Sequence, residues 1–296
     1  VDAGLDDTIC VNQTITLDGD TIHSSLCLWN SLGDGTFNNS SILTPVYTPG
    51  AGDIVNGSVQ LILTGSSVAP CTGSVRDTML LTFDPLPIAD AGNDTTICEN
   101  SIVTLAGDTT HSSACTWTTT GDGTFDDINL INATYTPGNA DIANTSVVLT
   151  LTADAVNPCT TSLQDDMTIF FDPLPIADAG LDEIICIDQN ITLSGTLNNS
   201  TISLWTTLGD GAFNDASLQN AIYTPGTNDL LAGSVNLILI ANGIVPCTDT
   251  DQDTMLVSFT PLPISTPGAD STICENGTLI MYGDTTNASA LRWLTN

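Results

Sequence analysis

Trp29-Asn30-Ser31-Leu32-Gly33-Asp34-Gly35-Thr36-Phe37 returns as Trp117-Thr118-Thr119-Thr120-Gly121-Asp122-Gly123-Thr124-Phe125 and again as Trp205-Thr206-Thr207-Leu208-Gly209-Asp210-Gly211-Ala212-Phe213. The step is 88 residues each time, and Trp293 marks a fourth turn of the same period. That step also links Cys10, Cys98, Cys186 and Cys274, then Tyr47, Tyr135 and Tyr223, then Cys71, Cys159 and Cys247. A fixed period of this kind is the signature of an array in which each period is one structural unit. No residue is gained or lost between these landmarks. The expected units are therefore 1–88, 89–176, 177–264 and a shortened 265–296.

Within each unit, short runs alternate apolar and polar residues and are separated by turn residues, the pattern of an all-β sandwich. Val59, Leu61 and Leu63 share one face of a run, as do Met79, Leu81 and Phe83 in the last run. The second unit repeats these faces as Val147, Leu149, Leu151 and Met167, Ile169, Phe171; the third as Val235, Leu237, Leu239 and Met255, Val257, Phe259. A one-residue slip would turn every one of them outward, so the register is firmly set and these are core residues. Cys27 and Trp29 share the face of an earlier strand, which runs into the turn Gly33-Asp34-Gly35. Asp34, Asp122 and Asp210 are expected to be turn formers.

Units are joined by Asp84-Pro85-Leu86-Pro87, Asp172-Pro173-Leu174-Pro175 and Thr260-Pro261-Leu262-Pro263. Two prolines fix φ and favour an extended, stiff joint, which predicts a rod of tandem sandwiches.

Composition narrows the function classes. The 296 residues carry two Lys or Arg (Arg76 and Arg292) against 34 acids, a net charge of −32. Nucleic-acid binding depends on Lys and Arg neutralising phosphates and is excluded. Anionic membrane surfaces would repel the chain, and no apolar run is long enough for a spanning helix. Val1 opens in mid-pattern, as it would in a chain cut from something longer. Catalysis needs a nucleophile, a base and an orienting group held together. The only histidines, His23 and His111, occupy equivalent loop positions where the third unit has Asn199, so no enzyme is expected.

The Trp29–Phe37 stretch, followed by Tyr47-Thr48-Pro49-Gly50 and an alternating strand, resembles polycystic kidney disease (PKD) domains. The Asp-Ala-Gly opening, the Ile-Cys, the Trp…Gly-x-Gly-x-Phe and the Tyr-Thr-Pro-Gly in this order are similar to repeats of large surface adhesins of Bacteroidota, including gliding-type adhesins. The resemblance covers each unit along its length. It departs in the extra Cys27 and Cys115, replaced by Ser203 in the third unit. It implies tandem immunoglobulin-like (PKD-like) β-sandwich repeats on a cell surface and identifies no ligand.

Nine cysteines on a fixed period imply an oxidising compartment, with no zinc-site spacing among them. Cys10 and Cys71 types are the natural partners. In an immunoglobulin-like strand order the two lie at opposite ends of one sandwich, separated by about 17–20 Å, and a disulfide needs Cα atoms within about 7 Å. Bonds between units, Cys10–Cys159 and Cys98–Cys247, are the expectation, leaving Cys186 and Cys274 for other units; Cys10–Cys71 within a unit is the alternative. Cys27 and Cys115 read as buried thiols.

Three surface features are candidates for sites. Asp6, Asp7, Asp84, Asp90, Asp94, Asp172, Asp178 and Asp182 cluster in sequence near the joints and could supply the oxygen shell calcium prefers; turn capping is the alternative. Asp-Thr-x triplets such as Asp7-Thr8-Ile9 and Asp94-Thr95-Thr96 are similar to the O-glycan acceptor pattern of Bacteroidota secreted proteins. Ile62, Leu80, Val148, Phe170, Ile238 and Leu256 lie on the outward face of the last two strands and predict lateral contact with a neighbouring chain or loop. The expected function is the structural repeat region of a secreted cell-surface adhesin or extracellular filament, partnered by copies of itself or a surface ligand. Glycan- or protein-binding modules, or a passive stalk before a distal domain, are the alternatives.

Overall fold

A computed structural model describes residues 1–294, apart from the Ser203 side chain. The chain folds as tandem all-β sandwiches, and the same seven strands and one short helix recur in each of the first three periods. In the first period these are β1 (Asp7–Cys10), β2 (Ile15–Thr16), β3 (Ser24–Ser31), β4 (Thr36–Phe37), β5 (Val46–Thr48), α1 (Ala51–Asn56), β6 (Ser58–Ser67) and β7 (Ser74–Asp84). The larger sheet has the order β1-β7-β6-β3 and the smaller β2-β5-β4. All pairs are antiparallel except β1 with β7, which run parallel with Cys10 beside Asp84. The second and third periods repeat both strand orders.

The alternating runs of sequence become the long hairpin at the centre of the larger sheet. β6 and β7 pair with Val59 opposite Leu81 and Leu61 opposite Met79. Their inward side chains meet Trp29 from β3, Tyr47 from β5 and Leu17 from the segment after β2, all buried. Equivalent clusters form around Trp117 and Tyr135 and around Trp205 and Tyr223. Each buried tryptophan donates its indole N–H to a backbone carbonyl, Trp29 to Leu43 at 3.3 Å, so burial strands no donor. His23, His111 and Asn199 share a left-handed turn before the third strand, with φ of 58°, 54° and 53°.

The helix is the element the sequence hides. It has six residues, its N-terminus is set by Pro49-Gly50, and Gly57 closes it in the left-handed region at φ 73°. A glycine there meets no steric penalty that a Cβ would bring.

By compactness the chain divides into two units, one comprising Val1–Ile97 and Ser101–Phe171, the other Cys98–Asn100 and the chain from Asp172 onward. In the second, Cys98–Asn100 joins the third period because Cys98 is bonded to Cys247 and the Asn100 amide donates to Asp249 at 2.7 Å. Among the described residues the last stretch forms a hairpin, Ile264–Pro267 with Gly283–Thr286. From 264 to 294 every residue is exposed except Thr285.

Candidate functional site

Among the described residues, the buried charged side chains are Asp53, Asp141 and Asp229, at 1%, 1% and 3% exposure. They occupy one position in three periods, the third residue of the short helix. A buried carboxylate is costly unless its lone pairs are filled. Asp53 Oδ1 accepts from the Asp34 N–H at 3.1 Å. Its Oδ2 accepts from the Gly35 N–H at 3.0 Å, the Gly50 N–H at 3.1 Å and the Tyr47 hydroxyl at 2.5 Å. Asp34 answers in the other direction, taking the helix N–H groups of Gly52 at 2.9 Å and Asp53 at 3.0 Å. Each aspartate thus satisfies the backbone donors of the other's element, and the Gly33-Asp34-Gly35 turn is bolted to the first turn of α1. Asp34, Asp122 and Asp210 are therefore more than turn formers. They supply the N-terminal cap that Gly50, Gly138 and Gly226, lacking side chains, cannot.

The second and third periods reproduce the lock. The Tyr135 hydroxyl reaches Asp141 at 2.6 Å and the Tyr223 hydroxyl reaches Asp229 at 2.6 Å. The two glycines of the motif follow from this arrangement: a Cβ on Gly33 or Gly35 would run into the Asp53 carboxylate. Burial first, then the hydrogen bond to the aspartate, pushes the Tyr47, Tyr135 and Tyr223 hydroxyls up to about 12. At Asp229 burial alone would raise the carboxyl. The Tyr223 hydroxyl and the N–H groups of Gly226, Asp210 and Gly211 outweigh it, and the net shift is downward. Asp34 is lowered by the N–H groups of Gly52 and Asp53.

The acids near the joints are engaged elsewhere. Asp6, Asp94 and Asp182 each accept a last-strand N–H, those of Leu80, Thr168 and Leu256, at 2.8, 2.8 and 2.9 Å. Asp7, Asp90 and Asp178 take N–H groups one or two residues ahead, from Thr8, Gly92 and Gly180. Asp84 and Asp172 contribute backbone carbonyls that face Cys159 and Cys247. Among the described residues no group of three or more His, Cys, Asp or Glu is placed to hold a metal ion. Edge strands and turns leave backbone donors open, and these carboxylates fill several of them locally.

Cys10 is bonded to Cys159 and Cys98 to Cys247, each with Cα atoms 4.8 Å apart. Strand direction explains why Cys10 does not meet Cys71. β1 runs parallel to β7 and ends beside Asp84, whereas Cys71 precedes the other end of β7. Eleven residues of β7 span roughly 35 Å. Cys27 and Cys115 are half-buried thiols directed at the Ser41 and Asn129 carbonyls. Burial first, then Asp154 and Asp127, raises the Cys115 thiol.

The residues expected to make lateral contacts lie on the outer face of the larger sheet. Leu80, Phe170 and Leu256 are exposed and Ile62, Val148 and Ile238 half-buried. Leu26 and Leu28 extend this apolar face in the first period, as do Ile202 and Leu204 in the third, all exposed. The second has Ala114 and Thr116 there.

No protein-family model matches the chain, and no curated protein matches it. Solved structures that it resembles include the protocadherin gammaB7 EC3-6 cis-dimer (TM-score 0.44, 11% identity, covering 92% of this chain and 76% of that one). Mouse cadherin-23 EC22-24 gives TM-score 0.42 and 12% identity, covering 88% and 95%. The I9-I11 tandem from titin gives TM-score 0.36 and 10% identity, covering 88% and 98%. At these values the likeness carries no argument about what the chain does.

Proposed function

We propose that this chain is a non-catalytic structural repeat region of an extracellular surface adhesin or filament, built to carry load rather than to transform a substrate. The supporting observation is the pair of disulfides joining cysteines of consecutive periods, each across 149 residues. A bond inside a sandwich would protect that sandwich alone. A bond between sandwiches shields the joint, because tension along the chain must first break a covalent link. Disulfides also persist in oxidising compartments, which supports a location outside the cell. The absence of Lys suits an extended array that must not adhere to its own acidic surface.

The test is single-molecule pulling on the oxidised chain and on Cys10→Ser/Cys98→Ser. The oxidised chain is expected to release less contour length, because with both bonds intact only the shortest segment between them, Cys98 to Cys159, can be drawn out. The double variant should release it in full. Equal contour lengths for both would remove the load-bearing reading.

A further inference from the structure

We propose that Cys71 and Cys186 are the two open halves of a third staple, whose partner is a further 88-residue repeat of this same sequence type. The equivalence of cysteine positions between periods is independent of whether the array is adhesive. Cys71 occupies the position of Cys159 and Cys247, and Cys186 that of Cys10 and Cys98. In the two formed staples all four cysteines are sealed, at 0% for Cys10, 4% for Cys98 and Cys159, and 2% for Cys247. Cys71 is exposed and Cys186 half-exposed.

The Cys186 side is already shaped for its partner. In the bonded first period the Cys10 N–H donates to the Gln13 side chain at 3.3 Å, the Gln13 N–H returns to the Cys10 carbonyl, and the Val11 N–H takes the Asp84 carbonyl. In the unbonded third, Cys186 donates to Gln189 at 3.4 Å, Gln189 returns to the Cys186 carbonyl, and the Ile187 N–H takes the Thr260 carbonyl. One turn is thus built whether or not its cysteine is bonded, so docking needs no rearrangement there. The bonded cysteines of the loop type add a second contact: their Sγ atoms lie 3.4 Å and 3.1 Å from the Asp84 and Asp172 carbonyls. In the third period that place falls to the carbonyl of Thr260, which like Asp84 pairs with its turn cysteine in the parallel ladder. The exposed stretch 264–294 brings no buried surface over it.

The bond forms by thiol–disulfide exchange with a small disulfide such as oxidised glutathione. The thiolate of one cysteine attacks the glutathione disulfide, forming a mixed disulfide and releasing one glutathione. The second thiolate displaces the other glutathione. One S–S bond is formed and one broken, and both protons end on the two glutathione thiols.

A second copy of the chain supplies the probe. The protein is held at high salt, to screen its charge, in a reduced and oxidised glutathione mixture, then alkylated and run without reductant. Peptides are mapped with non-tryptic proteases. The expected result is a ladder of dimers and higher species carrying Cys71–Cys186 cross-links. Cys71→Ser and Cys186→Ser should each lose the ladder while keeping the melting temperature, since both side chains lie outside the cores. Mixed together, the two variants should give dimers and nothing larger. Recovery of Cys71 and Cys186 as free thiols or glutathione adducts would overturn the proposal. So would a ladder that survives Cys186→Ser through Cys274 or Cys27.

Discussion

Trp29, Trp117 and Trp205 are each 1% exposed, while Trp293, on the same 88-residue step, is 44% exposed. The stretch leading to Trp293 carries the same opening landmarks, including Cys274 and the glycine Gly283 that matches Gly19, Gly107 and Gly195. In the first three periods the tryptophan is followed by the Gly-Asp-Gly turn, the tyrosine, the buried aspartate and the long hairpin. Trp293 lies on no strand among the described residues, whereas Trp29, Trp117 and Trp205 each sit in a strand of the larger sheet. The hairpin of β6 and β7 is what covers Trp29, and the aspartate lock holds the smaller sheet over the other side.

The largest effect is expected from Trp117→Ala. Removing a fully buried indole is expected to cost about 3–5 kcal/mol, whereas Trp293→Ala should stay within about 0.5 kcal/mol. Chemical denaturation of the two variants checks both, and acrylamide quenching checks the premise. One of the four tryptophans should be readily quenched, and Trp293→Ala should remove that component. A large loss from Trp293→Ala would mean that the last stretch packs more deeply than its exposure indicates.

Asp53→Ala comes next. It leaves the Tyr47 hydroxyl and the N–H groups of Asp34, Gly35 and Gly50 without their acceptor, at an expected cost of about 3 kcal/mol, against about 1 kcal/mol or less for a surface aspartate. The readout is a new early unfolding transition from the first period, with the others unmoved, because the three cores contain different residues. Gly33→Ala tests the same lock from the opposite side. Its new methyl group meets the Asp53 carboxylate, which four donors hold in place, and overpacking of this kind costs about 1–3 kcal/mol.

These two elements mark where the sequence is legible and where it is not. The period, the sandwich class and the inward faces of β6 and β7 follow from spacing alone, since a two-residue alternation with fixed landmarks admits one register. The helix does not, because six residues after Pro-Gly are too few to show a 3.6-residue rhythm. Asp53 is hidden for another reason: it is one of 34 acids, and chemical type cannot separate a buried aspartate from an exposed one. The usable signal is positional. Asp53, Asp141 and Asp229 each stand three residues after the glycine of Tyr-Thr-Pro-Gly and 19 after the aspartate of Gly-Asp-Gly. The backbone partners of Asp6, Asp94 and Asp182 are hidden in the same way, because sequence clustering brings acids near a joint without showing which N–H each one will meet.

Proton binding reports on the same lock. A tyrosine raised from 10.0 to about 12 in the folded state stabilises the fold fully below pH 10, and that contribution is lost as pH rises through 12. Absorbance titration should show Tyr47, Tyr135 and Tyr223 ionising together near 12, with unfolding following. At the acid end the sign reverses. Asp229 is depressed, so its contribution is present above the unfolded value of 3.8 and is lost as pH falls below it. Tyr223→Phe removes a donor from that carboxylate and is expected to move acid unfolding of the third period to higher pH.

Salt is expected to give the smallest effect, and it acts on the whole chain rather than on one lock. At −32 with two basic side chains, repulsion among exposed carboxylates has almost no counterpart of opposite sign. Screening shortens the reach of that repulsion from about 10 Å at 0.1 M salt to about 3 Å at 1 M. The melting temperature should therefore climb with sodium chloride and then level off. The hydrogen-bonded aspartates should contribute little to the rise, since their partners are backbone N–H groups at contact distance, where screening is weak. The slope should consequently be the same in Asp53→Asn as in the parent, although the variant melts lower. A flatter slope in the variant would assign the repulsion to the buried carboxylates, and the exposed acids would then be nearly neutral partners in the fold.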